Sequence, residues 1–75
     1  MTKLPDIDGR RVVKALKRAG WEVKNQKGSH VKLRKTGCSY FVIVPQHGKT
    51  IPKGTLSNII KDAGLSVEEF IELLK

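Results

Sequence analysis

Apolar residues recur at helical spacing in the first quarter of the chain. At about 100° per residue they fall on one arc, and they are Val12, Val13, Ala15, Leu16 and Ala19. Asp8 is a favourable N-cap and Gly20 a favourable stop. We therefore predict a first helix over about 9–19 that buries this arc.

Three β-rich runs follow, over 21–25, 30–35 and 39–44, and short breaks containing glycine separate them. This pattern predicts antiparallel hairpins. In the second run, Val31 and Leu33 alternate with polar residues, which are His30, Lys32 and Arg34. In the first run Trp21 and Val23 alternate with Glu22 and Lys24. The third run is apolar on both faces, which predicts a central or covered strand.

The last third of the chain predicts a loop and two helices. Residues 45–54 are too rich in Gly and Pro for regular structure, and a second helix is expected over about 55–63. Its apolar side consists of Leu56, Ile59, Ile60 and Ala63. Ser66 and Glu69 have the spacing of a capping box, which predicts a last short helix that packs through Val67, Phe70 and Leu73 or Leu74.

The order α-β-β-β-α-α predicts a single α+β domain over 1–75, with the helices on one face of a three-stranded antiparallel sheet. The other face would then meet solvent. It would carry Lys24, His30, Lys32 and Arg34.

Charge is distributed unevenly along the chain. Fifteen Lys and Arg against seven acidic residues give a net charge of +8, and residues 1–55 hold thirteen of the basic but three of the acidic groups. The side of the first helix opposite its apolar arc is wholly basic and consists of Arg10, Arg11, Lys14, Lys17 and Arg18. This polarity favours a polyanionic partner such as nucleic acid. A membrane surface is disfavoured, because no helix sets Trp, Phe and Leu against a basic face.

A lone cysteine, Cys38, fits a reducing compartment, and the first residues have no apolar run, so we expect a cytoplasmic protein without a leader peptide. Cys38 lies in a predicted turn, which offers a nucleophile neither a base nor a pocket. The cysteine and histidine spacing matches no zinc site, and no glycine-rich phosphate loop or carboxylate pair lies in the basic region. We therefore expect no metal and no small-molecule cofactor.

His30 is the foremost candidate for chemistry, because imidazole can take up or release a proton near neutral pH. It follows Gly28 and Ser29 where a hairpin enters a strand, among cations that suit a phosphate backbone. An ordinary surface histidine is the alternative. Ser29 would either donate to a phosphate or cap the turn. His47, in the long loop, is expected to be a turn residue, with a secondary role at the site as the alternative.

The aromatic residues are predicted to lie in the core rather than to stack on bases. They are Trp21, Tyr40, Phe41 and Phe70, and Tyr40 is the one that is also a candidate for a secondary role at the site.

Four segments, 13–21, 26–30, 44–48 and 54–56, together resemble the HicA (YcfA-like) family of toxins from type II toxin–antitoxin systems. Trp21 departs mildly from the aromatic residue usual there. The resemblance implies a double-stranded-RNA-binding-like fold and an mRNA interferase, a ribonuclease that inhibits translation. It also implies His30 as the catalytic histidine and a HicB-type antitoxin that covers the active face.

Combined with the charge pattern, the resemblance predicts a metal-independent endoribonuclease that cuts mRNA with His30. The residues expected to bind RNA are Lys24, Lys27, Gly28, Ser29, Lys32 and Arg34. Two alternatives stay open: a non-catalytic RNA-binding module of the same shape, and a protein-binding fragment whose basic face meets an acidic partner. The basic side of the first helix would serve either RNA or the antitoxin.

Overall fold

The computed structural model describes residues 3–46 and 48–75. Its elements are α1 (Gly9–Arg18), β1 (Glu22–Lys27), β2 (His30–Arg34), β3 (Val42–Pro45), α2 (Lys53–Asp62) and α3 (Val67–Leu74). This order confirms the predicted α+β architecture, α-β-β-β-α with an additional short C-terminal helix, and agrees with the double-stranded-RNA-binding-like fold.

Helix α1 forms as its sequence predicts. The Asp8 side chain accepts a hydrogen bond from the Arg11 amide at 3.1 Å, which satisfies one of the free donors of the first turn. At the other end Gly20 takes a left-handed conformation with φ of 100°, which ends the helix. The apolar side is buried, with Val12 and Leu16 fully inaccessible to solvent.

The sheet is antiparallel in the order β1-β2-β3, so β2 is the central strand. The expectation that the third run would be central or covered is wrong. Strand β3 pairs with β2 on one side and forms an edge, with Val42 and Val44 buried and Ile43 43% exposed. The apolar residues of this run therefore occupy two environments: Val42 and Val44 are buried in the core, and Ile43 faces solvent.

Strand β1 departs from the predicted alternation. Trp21 lies before the strand and is buried, whereas Val23 is 41% exposed. The register with β2 shifts between Val23 and Asn25, because an extra residue, Lys24, is accommodated there. A shift of this kind moves the following side chains to the opposite face, and the pattern of apolar and polar residues contains no sign of it.

The first residues of the two C-terminal helices are set by the residues next to them in the sequence. Helix α2 starts at Lys53, two residues earlier than predicted, directly after Pro52. Helix α3 has the predicted capping box, in which the Glu69 amide donates to the Ser66 hydroxyl at 3.1 Å and the Ser66 amide donates to the Glu69 carboxylate at 2.9 Å. Phe70 of α3 is fully buried, which places this helix on the protein's own core.

Arg18 joins the first and last helices. Its guanidinium donates to the carbonyl oxygens of Leu73 and Lys75, both at 2.7 Å. A cation at the C-terminal end of a helix satisfies free carbonyls and is favoured by the helix dipole. Helix α3 is thereby tied to α1 by a polar contact as well as by Phe70.

The helices cover one face of the sheet. The strand residues Val31, Leu33, Val42 and Val44 point to them and are buried. We call the opposite face, which faces solvent, the open face. It carries Glu22, Lys24, Lys27, His30, Lys32, Arg34, Phe41 and Ile43. Within the described residues, no helix is long and apolar enough to cross a membrane.

Candidate functional site

His30 is the first residue of the central strand, and a two-residue turn delivers it there. Gly28 has φ of 60°, and among the described residues positive φ is confined to glycines, so Ser29 has negative φ. This combination is typical of the type II′ turn, which favours glycine at its first position and matches the twist of a hairpin. The side-chain amide of Gln26 donates to the Gly28 carbonyl at 3.2 Å and supports the turn.

The backbone around His30 is held on both sides. His30 is in register with Lys27 of β1 and with Pro45 of β3. Beyond the end of β3, the Gln46 amide donates to the Ser29 carbonyl at 2.5 Å. These contacts hold the main chain of His30 in place, while its side chain is exposed to solvent. The imidazole is therefore accessible and is carried by an ordered backbone.

A shallow depression of about 490 Å³ adjoins the His30 ring. It is lined by Asn25, Gln26, Lys27, His30, Lys32 and Ile43. It therefore combines two cations, two amides and an apolar side chain around one imidazole. Such a shallow, polar surface suits an extended polymer better than a small molecule, for which an enclosed apolar pocket is typical.

The cations of the open face form no ion pair among the described residues, although the acidic Glu22 is the register partner of Arg34. The ion pairs among the described residues include Lys53 with Asp6 at 3.5 Å and Lys75 with Glu72 at 3.0 Å, both away from this face. Within residues 3–46 and 48–75, none of the open-face cations lies within ion-pair distance of a carboxylate. Their charge is therefore available to an external anion.

Phe41 is the feature of this face that the sequence analysis missed. The ammonium groups of Lys24 and Lys32 both lie over its ring, 4.6 Å from the centroid. The prediction that Phe41 and Tyr40 lie in the core is wrong: they are 43% and 51% exposed, whereas Trp21 and Phe70 are buried as predicted. Because residues 40–44 are all apolar, the sequence pattern contains no sign of which of them face solvent.

Tyr40 lies at the opposite end of the β2–β3 pair from His30. Its hydroxyl donates to the Asp62 carbonyl at the end of α2, at 2.7 Å, and its ring is 6.2 Å from that of Trp21. A hydrogen bond with the Cys38 thiol raises the pKa of Tyr40, with smaller effects from desolvation and neighbouring charges. The structure thus joins Tyr40 to α2 rather than to His30.

Two other residues singled out in the sequence add nothing to the geometry of the site. The prediction for His47 lies outside the described residues. Cys38 is half-buried in a turn and forms no disulfide. Among the described residues, no group of three or more His, Cys, Asp and Glu side chains is arranged to hold a metal ion.

A second basic surface lies on α1. Arg10, Arg11, Lys14, Lys17 and Arg18 are all exposed, as the pattern predicted. Arg18 is engaged with α3, and Arg10, Lys14 and Lys17 line a depression that reaches Gln46 beside the His30 turn. The basic surface of α1 thus approaches the open face at the end of β3.

Comparison with known families gives the assignment of the chain. The model of a family described as "HicA toxin of bacterial toxin-antitoxin" matches residues 9–65, from the start of α1 to just beyond α2. Helix α3 lies beyond the matched range. Among curated proteins, the comparison found no match.

Proposed function

Since the chain belongs to the HicA toxin family of bacterial toxin–antitoxin systems, we propose that it is an endoribonuclease that cuts mRNA with His30 and so inhibits translation. The observation that carries this proposal is the position of His30. Its exposed ring stands on the open face, beside cations that lack acidic partners.

The proposed reaction uses the nucleophile that RNA already contains. His30 removes the proton of a ribose 2′-hydroxyl, whose oxygen attacks the adjoining phosphorus and expels the 5′ oxygen of the next nucleotide. The bond to that oxygen breaks as the new bond forms, which leaves a 2′,3′-cyclic phosphate and a 5′-hydroxyl. No metal-bound water is needed, because the attacking oxygen belongs to the substrate.

The cations next to His30 stabilise the charge that develops on the phosphate. Lys27 lies opposite His30 and Lys32 is two residues further along β2, so both line the depression into which the phosphate would fit. Lys24 and Arg34 extend the positive surface along the RNA. Gly28 and Ser29, in the turn before His30, are proposed to contact the phosphate backbone of the RNA. The leaving oxygen takes up a proton from solvent water or from a neighbouring acid, and His47→Ala would test whether His47 is that acid.

The proposed protein partner is a HicB-type antitoxin that covers the open face. A predominantly acidic surface on that protein would complement the unpaired cations and exclude RNA from His30. Toxin, antitoxin and mRNA would meet in the cytoplasm. An adjacent reading frame encoding an acidic protein would support this part of the proposal.

Induced expression tests the function directly. Cells that produce the wild-type chain should stop growing and lose intact mRNA, whereas cells that produce folded His30→Ala at the same level should do neither. In vitro, replacing the ribose at the cut site with 2′-deoxyribose should block cleavage, because the nucleophile is then missing. Intact RNA with the wild-type chain would favour the non-catalytic binding module instead.

A further inference from the structure

We propose that Phe41 is a stacking platform for one base of a single-stranded RNA, and that this contact sets which phosphodiester lies at His30. The inference deepens the proposed function and rests on it for the identity of the ligand. It concerns substrate positioning rather than the chemical step.

The exposure of Phe41 is the first observation. The side chain is 43% exposed directly before β3, whose first residue, Val42, is 1% exposed. Ile43, also 43% exposed, lies on the same face, so two large apolar side chains follow one another along the outside of the edge strand. Lys24 and Lys32 lie over the Phe41 ring, and Lys27 and Lys32 line the same depression as Ile43.

The two lysines over the ring are the second observation. Lys24 comes from β1 and Lys32 from β2, yet both ammonium groups lie 4.6 Å from the centre of the Phe41 ring. Contacts of this kind are weak on an exposed surface, so a base can displace them. The released ammonium groups would then stand beside the base, where they can bind the phosphates that flank it.

An aromatic ring among cations on an open sheet is the arrangement that favours single-stranded nucleic acid. Bases stack on the ring while the backbone follows the positive charge. A base inside a duplex is already stacked and paired, so its face is not available. The platform therefore selects unpaired RNA.

Strand geometry fixes the distance from platform to His30. His30 is opposite Pro45, and Phe41 lies four residues before Pro45, directly before β3. At about 3.3 Å per residue the two side chains are about 13 Å apart along the strands. The stacked base therefore belongs to a nucleotide near the cut bond rather than to the cut bond itself, and it acts as a positioning contact.

The test measures binding in the His30→Ala background, so that the RNA stays intact. Fluorescence anisotropy of a short labelled single-stranded RNA is compared with a series in which one nucleotide at a time is abasic. At one position, loss of the base should weaken binding by about 5-fold to 100-fold. Adding Phe41→Leu should weaken binding of the complete RNA by a similar factor and remove the effect of that abasic site.

Phe41→Trp provides the matched control, because it keeps an aromatic ring and should keep the sensitivity to the abasic site. The slope of affinity against salt should be the same for Phe41→Leu, since no cation is removed. The platform would be contradicted if adding Phe41→Leu left the affinity for the complete RNA unchanged. It would also be contradicted if Phe41→Leu weakened binding of the complete RNA and of the abasic RNA by the same factor. This experiment measures binding and does not depend on cleavage. If the wild-type chain never cut RNA, the proposed nuclease activity would be wrong, but the binding result would still test the platform.

Discussion

Lys27 and His30 are register partners across the two-residue turn between β1 and β2. Both also line the depression on the open face. Because Gly28 and Ser29 allow a tight turn, the ammonium group and the imidazole are presented side by side at the end of the hairpin. This pairing gives the proposed base a nearby positive charge for the phosphate that it acts on.

Lys27→Gln should therefore slow RNA cleavage by about tenfold or more at saturating RNA, because the charge developing on the phosphate loses one stabilising group. Single-turnover cleavage of a labelled RNA measures the effect. The matched control is Lys61→Gln, which removes a lysine from the exposed end of α2. An equal rate for Lys27→Gln and wild type would remove Lys27 from the mechanism.

Gly9 is predicted to be essential for the packing of α1 on β3. A Cβ at this position would collide with the Pro45 carbonyl oxygen and lie 2.8 Å from the Gln46 Cα. Gly9→Ala should lower the free energy of unfolding by about 1–3 kcal/mol, because the helix must shift away from the strand. Urea unfolding gives the value.

Gly54→Ala is the control for that substitution. Gly54 lies in the first turn of α2, and a Cβ there meets no atom within 4 Å. This change should leave stability unchanged or raise it by about 0.4–1 kcal/mol, because alanine restricts the unfolded chain. A Gly9→Ala variant as stable as Gly54→Ala would show that the contact between α1 and Pro45 is not tight.

RNA binding should depend strongly on salt. Contacts with about six phosphates of a single strand correspond to a log–log slope of about −4. Lys32→Gln should reduce the magnitude of this slope by about 0.7, because one phosphate contact is lost. Anisotropy titrations at several salt concentrations measure both slopes, and a wild-type slope near zero would contradict the electrostatic part of the account.

Much of the fold could be predicted from local sequence signals. Asp8 and Gly20 delimit α1, and Ser66 with Glu69 caps α3, because these residues act on neighbouring backbone groups. The hairpin at Gly28 followed from turn chemistry for the same reason. Such contacts join residues only a few positions apart, so they can be predicted from the local sequence.

The remaining features depend on contacts between distant residues. The bulge at Lys24 arises from pairing with β2, and Phe41 is exposed because no described element covers the open face beside the edge strand β3. An apolar run has the same composition at an edge as in a centre, so its pattern cannot separate the two. The sequence pattern therefore does not reveal the exposed Phe41 ring, whereas it predicts the position of His30 because the turn specifies it.

The most direct test of the central claim is the cleavage rate of one labelled single-stranded RNA by purified wild type and His30→Ala, with affinity measured in the same buffer. His30→Ala should lose at least about 100-fold in rate, as expected for the removal of a general base. Its affinity should stay within about twofold, because no cation is removed. Cleavage by His30→Ala at the wild-type rate would contradict the claim.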